Sequence, residues 1–314
     1  MMGENISEVR QEMDNKNMKT GIMLGIITYI LWGFFPIYWK LLDIYEPDVI
    51  LANRIIWSCL FMVGYLFFTG KLRSFFSLCT TLLKDKQKML YITLASIVIS
   101  ANWLIYIWAV HNNFVIQASL GYYMNPLLSI VLGVLFLKEA LYPAQKVALL
   151  FASFGVLYLT ISYGVFPWIS IALALSFGLY GLFKKAVKLD SAYSLTVETL
   201  LLTPIALIYL FTFVGVDLGF AASTSWTDTG LLLISGIATA VPLLLFGYAV
   251  AYIPLSLAGI LQYIAPTIML ILGVFLYDEP FTSAHFVTFT CIWIALILFV
   301  SSTLKVNKVR KFTN

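Results

Sequence analysis

Ten apolar runs, each long enough to cross a lipid bilayer, account for most of this chain of 314 residues. A helix needs about 20 consecutive apolar residues to span the hydrocarbon core. The runs lie at residues 21–42, 48–69, 89–110, 114–137, 144–163, 165–183, 193–213, 229–250, 254–277 and 282–304. Only 11% of the residues are charged, against about 25% in a soluble domain. The sequence therefore predicts an all-α integral membrane protein with ten transmembrane helices.

Basic residues gather in alternate loops between these runs. Lys and Arg concentrate on the cytoplasmic side of membrane proteins, and 17 of the 19 lie in the two tails or after the second, fourth and sixth runs. The first twenty residues lack the short apolar region and cleavage site of a signal peptide. We therefore expect a multi-pass protein of the cytoplasmic (plasma) membrane with both termini in the cytoplasm.

The fourth and ninth runs share an ordered set of residues at a constant offset of 140. Tyr123 and Tyr263, Pro126 and Pro266, and Leu132-Gly133-Val134 and Leu272-Gly273-Val274 all match, and the set closes with Glu139 and Glu279. Such self-similarity indicates an internal repeat. Because each copy has five spans, the second copy enters the membrane from the opposite side, as in transporters with inverted repeats. The predicted division is a tail at 1–20, repeats at 21–163 and 165–304, and a basic tail at 305–314.

The matched prolines suggest a substrate site. Proline removes a backbone donor and displaces the carbonyl four residues earlier, so Pro126 and Pro266 predict helix breaks near the middle of the membrane. Such breaks are tolerated where they face protein or a water-filled cavity. The polar or aromatic neighbours expected to bind substrate there are Tyr122, Asn125, Gln262 and Tyr263. The alternative is that these prolines bend their helices only for packing.

Two formal charges lie clearly inside apolar runs, Arg54 in the second and Glu198 in the seventh. Charges within the membrane are costly and usually mark transport pathways or buried partners. We predict that Glu198 carries a proton or binds a cation and that Arg54 binds an anion or gates the site. The alternative is that each reaches its interface or bonds backbone carbonyls. Asn102 is a further candidate for substrate binding, with helix packing as the simpler explanation.

Other features limit the chemistry. The three cysteines have no paired spacing that would indicate disulfides or zinc, and the chain has no Walker A, HExxH or GxGxxG motif. We expect no cofactor and no nucleic acid partner, so that ion or substrate gradients drive any transport. The expected partners are a small-molecule substrate and membrane lipid. Gly21 and Gly25 would permit close helix contact and leave a homodimer open.

Several motifs together resemble one family. They are YILWGFFPIYWK, NRIIWS, NWLIYIWAV, QASLGYYMNPL, ETLLLTP, VPLLLF and LQYIAPT. With them the chain resembles the EamA proteins of the drug/metabolite transporter superfamily, and among these the RarD type, described as chloramphenicol-sensitive permeases. The resemblance implies ten helices, two EamA repeats, cytoplasmic termini and export of small metabolites or drugs. Asn53 stands where the family pattern usually has a histidine, so the resemblance implies no titrating imidazole there.

The leading hypothesis is a secondary transporter, not an enzyme, that exports small molecules by alternating access at a midplane site. Coupling to a proton would run through Glu198. The alternatives are a membrane enzyme acting on lipid-linked substrates and a non-transporting scaffold. An enzyme would need acid, base or metal-binding residues gathered at one interface, and a scaffold gives the repeated prolines no purpose.

Overall fold

The computed structural model describes residues 2–137, 143–163, 166–187, 189–215, 225–253 and 261–313, and within these ranges every regular element is helical. The first half contains α1 Met2–Gly33, α2 Phe35–Lys40, α3 Pro47–Phe68, α4 Leu72–Lys84, α5 Lys86–His111, α6 Val115–Leu137 and α7 Pro143–Tyr163. The second half contains α8 Trp168–Val187, α9 Ser191–Tyr209, α10 Trp226–Tyr252, α11 Ile264–Phe275 and α12 Ser283–Thr313. A π-helical turn, Leu210–Val214, follows α9.

Each of the ten predicted runs contains a helix. Of the helices in the described ranges, five are long and apolar enough to cross a membrane, namely Asn17–Lys40, Pro47–Phe68, Lys86–His111, Ser191–Val214 and Trp226–Ala249. Large apolar side chains cover the outside, with Ile161 and Phe275 about 79% and 80% exposed. An apolar outer surface is stable only when its surroundings are apolar too.

Helix packing follows the same pattern in both halves. Helix α1 packs on α10 and α11, while α8 packs on α5 and α6. Helix α3 packs on α9, α6 on α11, and α7 on α12. Where α3 crosses α10, a Cβ on Gly236 would lie 2.2 Å from the carbonyl carbon of Trp57, so only glycine fits that crossing.

Two predictions about the proline positions have different outcomes. A turn at Gln262 and Tyr263 precedes α11, so the predicted break near Pro266 is present. Pro266 lies in the first turn of α11, where a backbone N–H has no intrahelical partner in any case. The break predicted at Pro126 was wrong, because α6 is helical without interruption from Val115 to Leu137.

Three further features differ from the sequence prediction. The first run is two helices, because α1 ends at Gly33 and α2 begins at Phe35 with Pro36 in its first turn. A proline there is favourable, since its missing N–H needs no partner. The loop after the second run contains α4, which buries Phe75 and Leu82 on one face. Helix α1 begins at Met2, so residues 2–20 of the predicted tail form its first part.

Gly21 and Gly25 face the chain itself. A Cβ on Gly21 would lie 2.7 Å from Ile253 Cγ2, and one on Gly25 would lie 3.0 Å from Leu261 Cδ1. The close contact predicted from these glycines is therefore made within the chain, between α1 and the end of α10 and the residues before α11. They give no support to a homodimer, which stays an untested prediction.

A carboxylate joins the two halves at one end of the bundle. Glu279, in the loop between α11 and α12, accepts hydrogen bonds from the backbone N–H groups of Val115, at 2.6 Å, and Ile116, at 2.8 Å. These are unpaired donors at the start of α6, where a negative charge is favoured by the helix dipole. Burial raises the pKa of the Glu279 carboxyl above its usual range, and the two N–H donors oppose that rise.

Candidate functional site

A cavity of about 250 Å³ lies between the helices of the two halves. Its walls come from α1, α2, α3, α5 and α6 of the first half and from α8, α9, α10 and α11 of the second. Nine of the 22 lining residues are aromatic: Tyr29, Trp32, Phe35, Trp103, Tyr106, Tyr122, Phe177, Tyr180 and Phe246. A mostly apolar wall with a few polar groups is typical of small-molecule sites.

The structure brings most of the predicted site residues to this cavity. Those that line it are Arg54, Asn102, Tyr122, Asn125, Gln262 and Pro266. Two others are not among the lining residues, Tyr263 and Glu198. The side chain of Pro126 lies outside the part of the chain that is described, although its place within α6 is known. The roles of all these residues in binding or coupling stay predictions.

Arg54 is fixed at the cavity wall by three contacts. It is 4% exposed, and its Nε donates to Thr239 Oγ1 at 2.6 Å. Its Cζ lies 4.8 Å from the ring centre of Trp39 and 4.3 Å from that of Trp103. Distances under about 6 Å allow cation–π attraction. Among the described residues, the guanidinium is therefore held in place by aromatic rings and one hydroxyl rather than by a counter-ion.

Three buried polar atoms of lining residues have no hydrogen-bond partner among the described residues. They are Arg54 Nη1, Tyr106 Oη and Asn125 Oδ1. Most buried polar side-chain atoms in proteins have a partner, so each exception needs an explanation. Asn102 differs, because its Nδ2 donates to Leu173 O at 2.9 Å and to Ser176 Oγ at 2.8 Å. Those two bonds join α5 to α8, as the packing alternative predicted.

Glu198 lies behind the cavity wall in a polar cluster between α8 and α9. It is 1% exposed, and Lys184 Nζ lies 3.2 Å from its Oε1. Its carboxylate also accepts from Tyr180 Oη at 3.0 Å and Ser194 Oγ at 2.6 Å. Lys184 Nζ in turn donates to Tyr180 Oη at 2.9 Å. Since Tyr180 and Lys184 line the cavity, they connect Glu198 to it.

Tyr263 lies in the packing between α6 and α11. Its ring stacks on that of Tyr123, with centroids 6.0 Å apart. Tyr123 shares a hydrogen bond with Thr267, and Ser119 Oγ donates to the backbone carbonyl of Pro266 at 2.7 Å. The matched tyrosines of the repeat therefore touch each other, and they hold the helices that bear Asn125 and Pro266.

The sequence prediction missed several residues of this site. Tyr180 and Lys184 follow each other at a spacing of four on α8, as do Ser194 and Glu198 on α9. That spacing places each pair on one helix face. It is the sequence signal from which Tyr180, Lys184 and Ser194 could have been predicted to lie near Glu198. For Thr239, an uncharged residue in an apolar run, the sequence held no comparable signal.

Comparison with known proteins supports the family that the sequence motifs indicate. Residues 19–161 and 167–301 each match the model of the EamA-like transporter family. A Bacillus subtilis protein named Uncharacterized transporter YojE is 46% identical over 300 residues, which are 95% of this chain and 99% of that protein. The Escherichia coli Protein RarD is 38% identical over 288 residues, which are 92% of this chain and 96% of that protein. These matches confirm the resemblance expected from the sequence.

A solved crystal structure of another protein has the same fold. It superposes with a TM-score of 0.58 and covers 88% of this chain and 96% of its own. At 14% sequence identity, this likeness concerns the fold alone.

Proposed function

The chain belongs to the EamA-like transporter family and is of RarD type, and from that premise we propose that it is a secondary transporter that exports small molecules by alternating access. That it is a multi-pass membrane transporter follows from its family and its apolar helices. The proposal of alternating access rests on one observation, the cavity between the two halves. A site at such a boundary opens to either side when one half tilts against the other.

We propose further that the chain consists of two inverted five-span repeats, 21–163 and 165–304, between tails at 1–20 and 305–314. The two stretches that match the family, 19–161 and 167–301, have nearly these limits. The matched packing of α1 on α10 and α11 and of α8 on α5 and α6 also supports the proposal, because exchanging the halves interchanges these contacts.

The charge distribution supports a cytoplasmic membrane location with both termini in the cytoplasm. In that orientation, the end of the cavity lined by Lys184 and Ser191 faces the cytoplasm. Contacts between the halves at the opposite end include the Glu279 carboxylate on the start of α6, a hydrogen bond of 2.5 Å from Tyr38 Oη to Leu231 O, and a hydrogen bond from Tyr209 Oη to Asp48.

Glu198 is the proposed coupling residue. A carboxylate that is almost fully buried and linked to the cavity by Tyr180 and Lys184 would respond to a proton or to substrate through those two side chains. Protonation of Glu198 would weaken its attraction to Lys184 and change the charge presented to the cavity. The proposed substrate contacts are the six predicted residues that line it, with Tyr263 and Pro126 shaping α11 and α6.

The proposal is tested by the small molecules that cells release. Cells overproducing the wild type, Glu198→Gln or Glu46→Gln at matched protein levels are compared with an empty vector. Glu46 is an exposed carboxylate before α3, so its variant controls for the carboxylate-to-amide change. Chloramphenicol, supplied to the cells, belongs in the panel because of the RarD resemblance.

We expect at least one compound to be released more by the wild type and the Glu46→Gln variant than by the vector, and no more by Glu198→Gln than by the vector. Equal release from Glu198→Gln would leave export standing and discard coupling through Glu198. If the wild type and the vector release the same compounds across the panel, the export proposal is wrong.

A further inference from the structure

The cavity presents one positive charge that nothing in the described part of the chain neutralises. Among the described residues, no Asp or Glu oxygen lies within 4.0 Å of Arg54. Lys184, the other cation of the lining, already has Glu198 as its counter-ion at 3.2 Å. The net formal charge of the described lining, with Glu198 included, is therefore positive and comes from Arg54.

Burying a charge without a counter-ion costs several kcal/mol in effective terms. Proteins retain such a charge where a ligand supplies its partner, and arginine is the side chain best suited to a carboxylate because its N–H groups match the two oxygens. The nearby Tyr38, Tyr106 and Tyr122 are close enough to interact electrostatically with Arg54. The hydroxyls of Tyr106 and Tyr122 can donate hydrogen bonds to an anion, whereas that of Tyr38 already donates to Leu231 O. A neutral phenol does not cancel the positive charge.

Two hydrogen-bond donors without partners on lining residues support this assignment. Nε of Arg54 is occupied by Thr239, and the Trp39 and Trp103 rings hold the guanidinium. Its Nη1 has no hydrogen-bond partner among the described residues, and neither does the hydroxyl of Tyr106 on the same cavity. Both donors belong to residues that line one cavity, and they are the groups that we assign to the oxyanion of a ligand.

The other lining residues and the cavity volume indicate the size and apolar character of the rest of the ligand. Trp32, Phe35, Phe177 and Phe246 present apolar rings to the cavity, and flat apolar groups pack well on such rings. The volume of about 250 Å³ lies below the range of about 300–1,000 Å³ typical of drug-sized ligands. The ligand should therefore be a small metabolite with one carboxylate and an apolar or aromatic body.

We propose that the substrate is an organic carboxylate whose anionic group pairs with Arg54 and whose body lies against the aromatic wall. This inference rests on the proposed function, because it names the class of molecule that the transporter moves. It separates this class from neutral compounds of the same shape, which would leave Arg54 without a counter-ion.

Binding to the purified full-length protein in detergent tests the inference without requiring transport. The probes are matched pairs, 3-phenylpropionate with 3-phenylpropionamide, phenylacetate with phenylacetamide, and hexanoate with hexanamide. Each is titrated to millimolar concentration while thermal unfolding is followed by intrinsic fluorescence, since a ligand that binds only the folded state raises the unfolding temperature. The variants are Arg54→Gln, Arg54→Lys and, as a control, Arg73→Gln, which changes an exposed arginine on α4.

In the wild type and Arg73→Gln, we expect at least one carboxylate to bind about 10- to 100-fold more tightly than its amide, as expected for a charged hydrogen bond. Arg54→Gln should abolish that preference, and Arg54→Lys should retain part of it. The wild type alone still tests the preference if Arg54→Gln does not fold. Equal binding of acid and amide, binding of neither, or an unchanged preference in a folded Arg54→Gln would overturn the inference.

The two proposals fail separately. Carboxylate binding that depends on Arg54, found in a protein that releases no compound from cells, would retain this site and discard export. Release of a neutral compound with no preference for acids in the binding assay would retain transport and discard the anion site.

Discussion

Removing both Lys184 and Glu198 should cost much less stability than the two single losses added together. Lys184 Nζ is 3.2 Å from Glu198 Oε1, and the Glu198 side chain is 1% exposed. At that separation Coulomb's law gives about 5 kcal/mol for an effective dielectric constant of about 20. Because the Lys184 side chain is 28% exposed, solvent screening should reduce the coupling to about 3 kcal/mol.

A double-mutant cycle measures this coupling. Lys184→Met leaves a buried carboxylate whose remaining hydrogen bonds come from Tyr180 and Ser194. Glu198→Leu leaves the ammonium without its counter-ion and two hydroxyls without their acceptor. Each single change should cost about 3 kcal/mol, and the double variant should also cost about 3 kcal/mol rather than the additive value of about 6.

The assay is reversible unfolding in mixed detergent micelles, followed by tryptophan fluorescence. The control cycle uses Lys88 and Asp85, a pair at 3.3 Å whose side chains are 48% and 39% exposed. Exposed pairs contribute at most about 1 kcal/mol, so that cycle should be nearly additive. Additive losses at Lys184 and Glu198 would refute the reasoning, and they would also remove the ground for treating Lys184 as neutralised.

Three further predictions concern packing, pH and access. Gly236→Ala should destabilise the protein by about 1–3 kcal/mol through its clash with the backbone of α3, whereas Gly230→Ala on the same helix, which has open space, should not destabilise it; equal unfolding temperatures would contradict this. Because the pKa of Glu279 is raised in the folded state, the stability that it contributes is fully present below its unfolded pKa and is lost as the pH rises through the folded value. Glu279→Gln should remove that part of the pH dependence of the unfolding temperature, and identical profiles would show that the carboxylate does not titrate in this way. In a cysteine-free background, Gln262→Cys should react with a water-soluble thiol reagent and the outward-facing Phe275→Cys should not; the reverse would contradict the cavity.

The parts of the fold that depend on length and hydrophobicity could be predicted from the sequence. A membrane span is a run of about 20 apolar residues, and each of the ten predicted runs contains a helix. Helix α4 was missed because a search for spanning length passes over a short amphipathic helix, although Phe75, Leu78 and Leu82 follow one face of it. The break predicted at Pro126 was wrong because neighbouring helices can satisfy the groups that a proline frees, so the helix continues.

The sequence predicted the lining residues of the cavity where a single polar residue stood out within an apolar run. Arg54 and Asn125 stood out as polar residues in apolar runs, and both line the cavity. The position of Glu198 behind the wall depends on which side chain crosses from α8 to meet it, and one sequence does not specify that distance. Lys184 lies just beyond the end of its predicted run, so the sequence places it among the basic residues of a loop. Its flexible side chain nevertheless reaches inward to the Glu198 carboxylate.

Arg54 and Glu198 have different partners, and the comparison of the two proposed repeats brings out this difference. At an offset of 145 residues, Lys185 matches Lys40, and Lys184 corresponds to Trp39. Glu198 thus meets a lysine at 3.2 Å, whereas Arg54, nearly equivalent at an offset of 144, has at the matching position an indole 4.8 Å away. An indole attracts a cation through its electron-rich face but leaves its net charge in place. Among the described residues, the charge of Glu198 is therefore balanced by Lys184, whereas Arg54 keeps its positive charge at the cavity. A bound anion would give Arg54 the kind of partner that Lys184 gives Glu198.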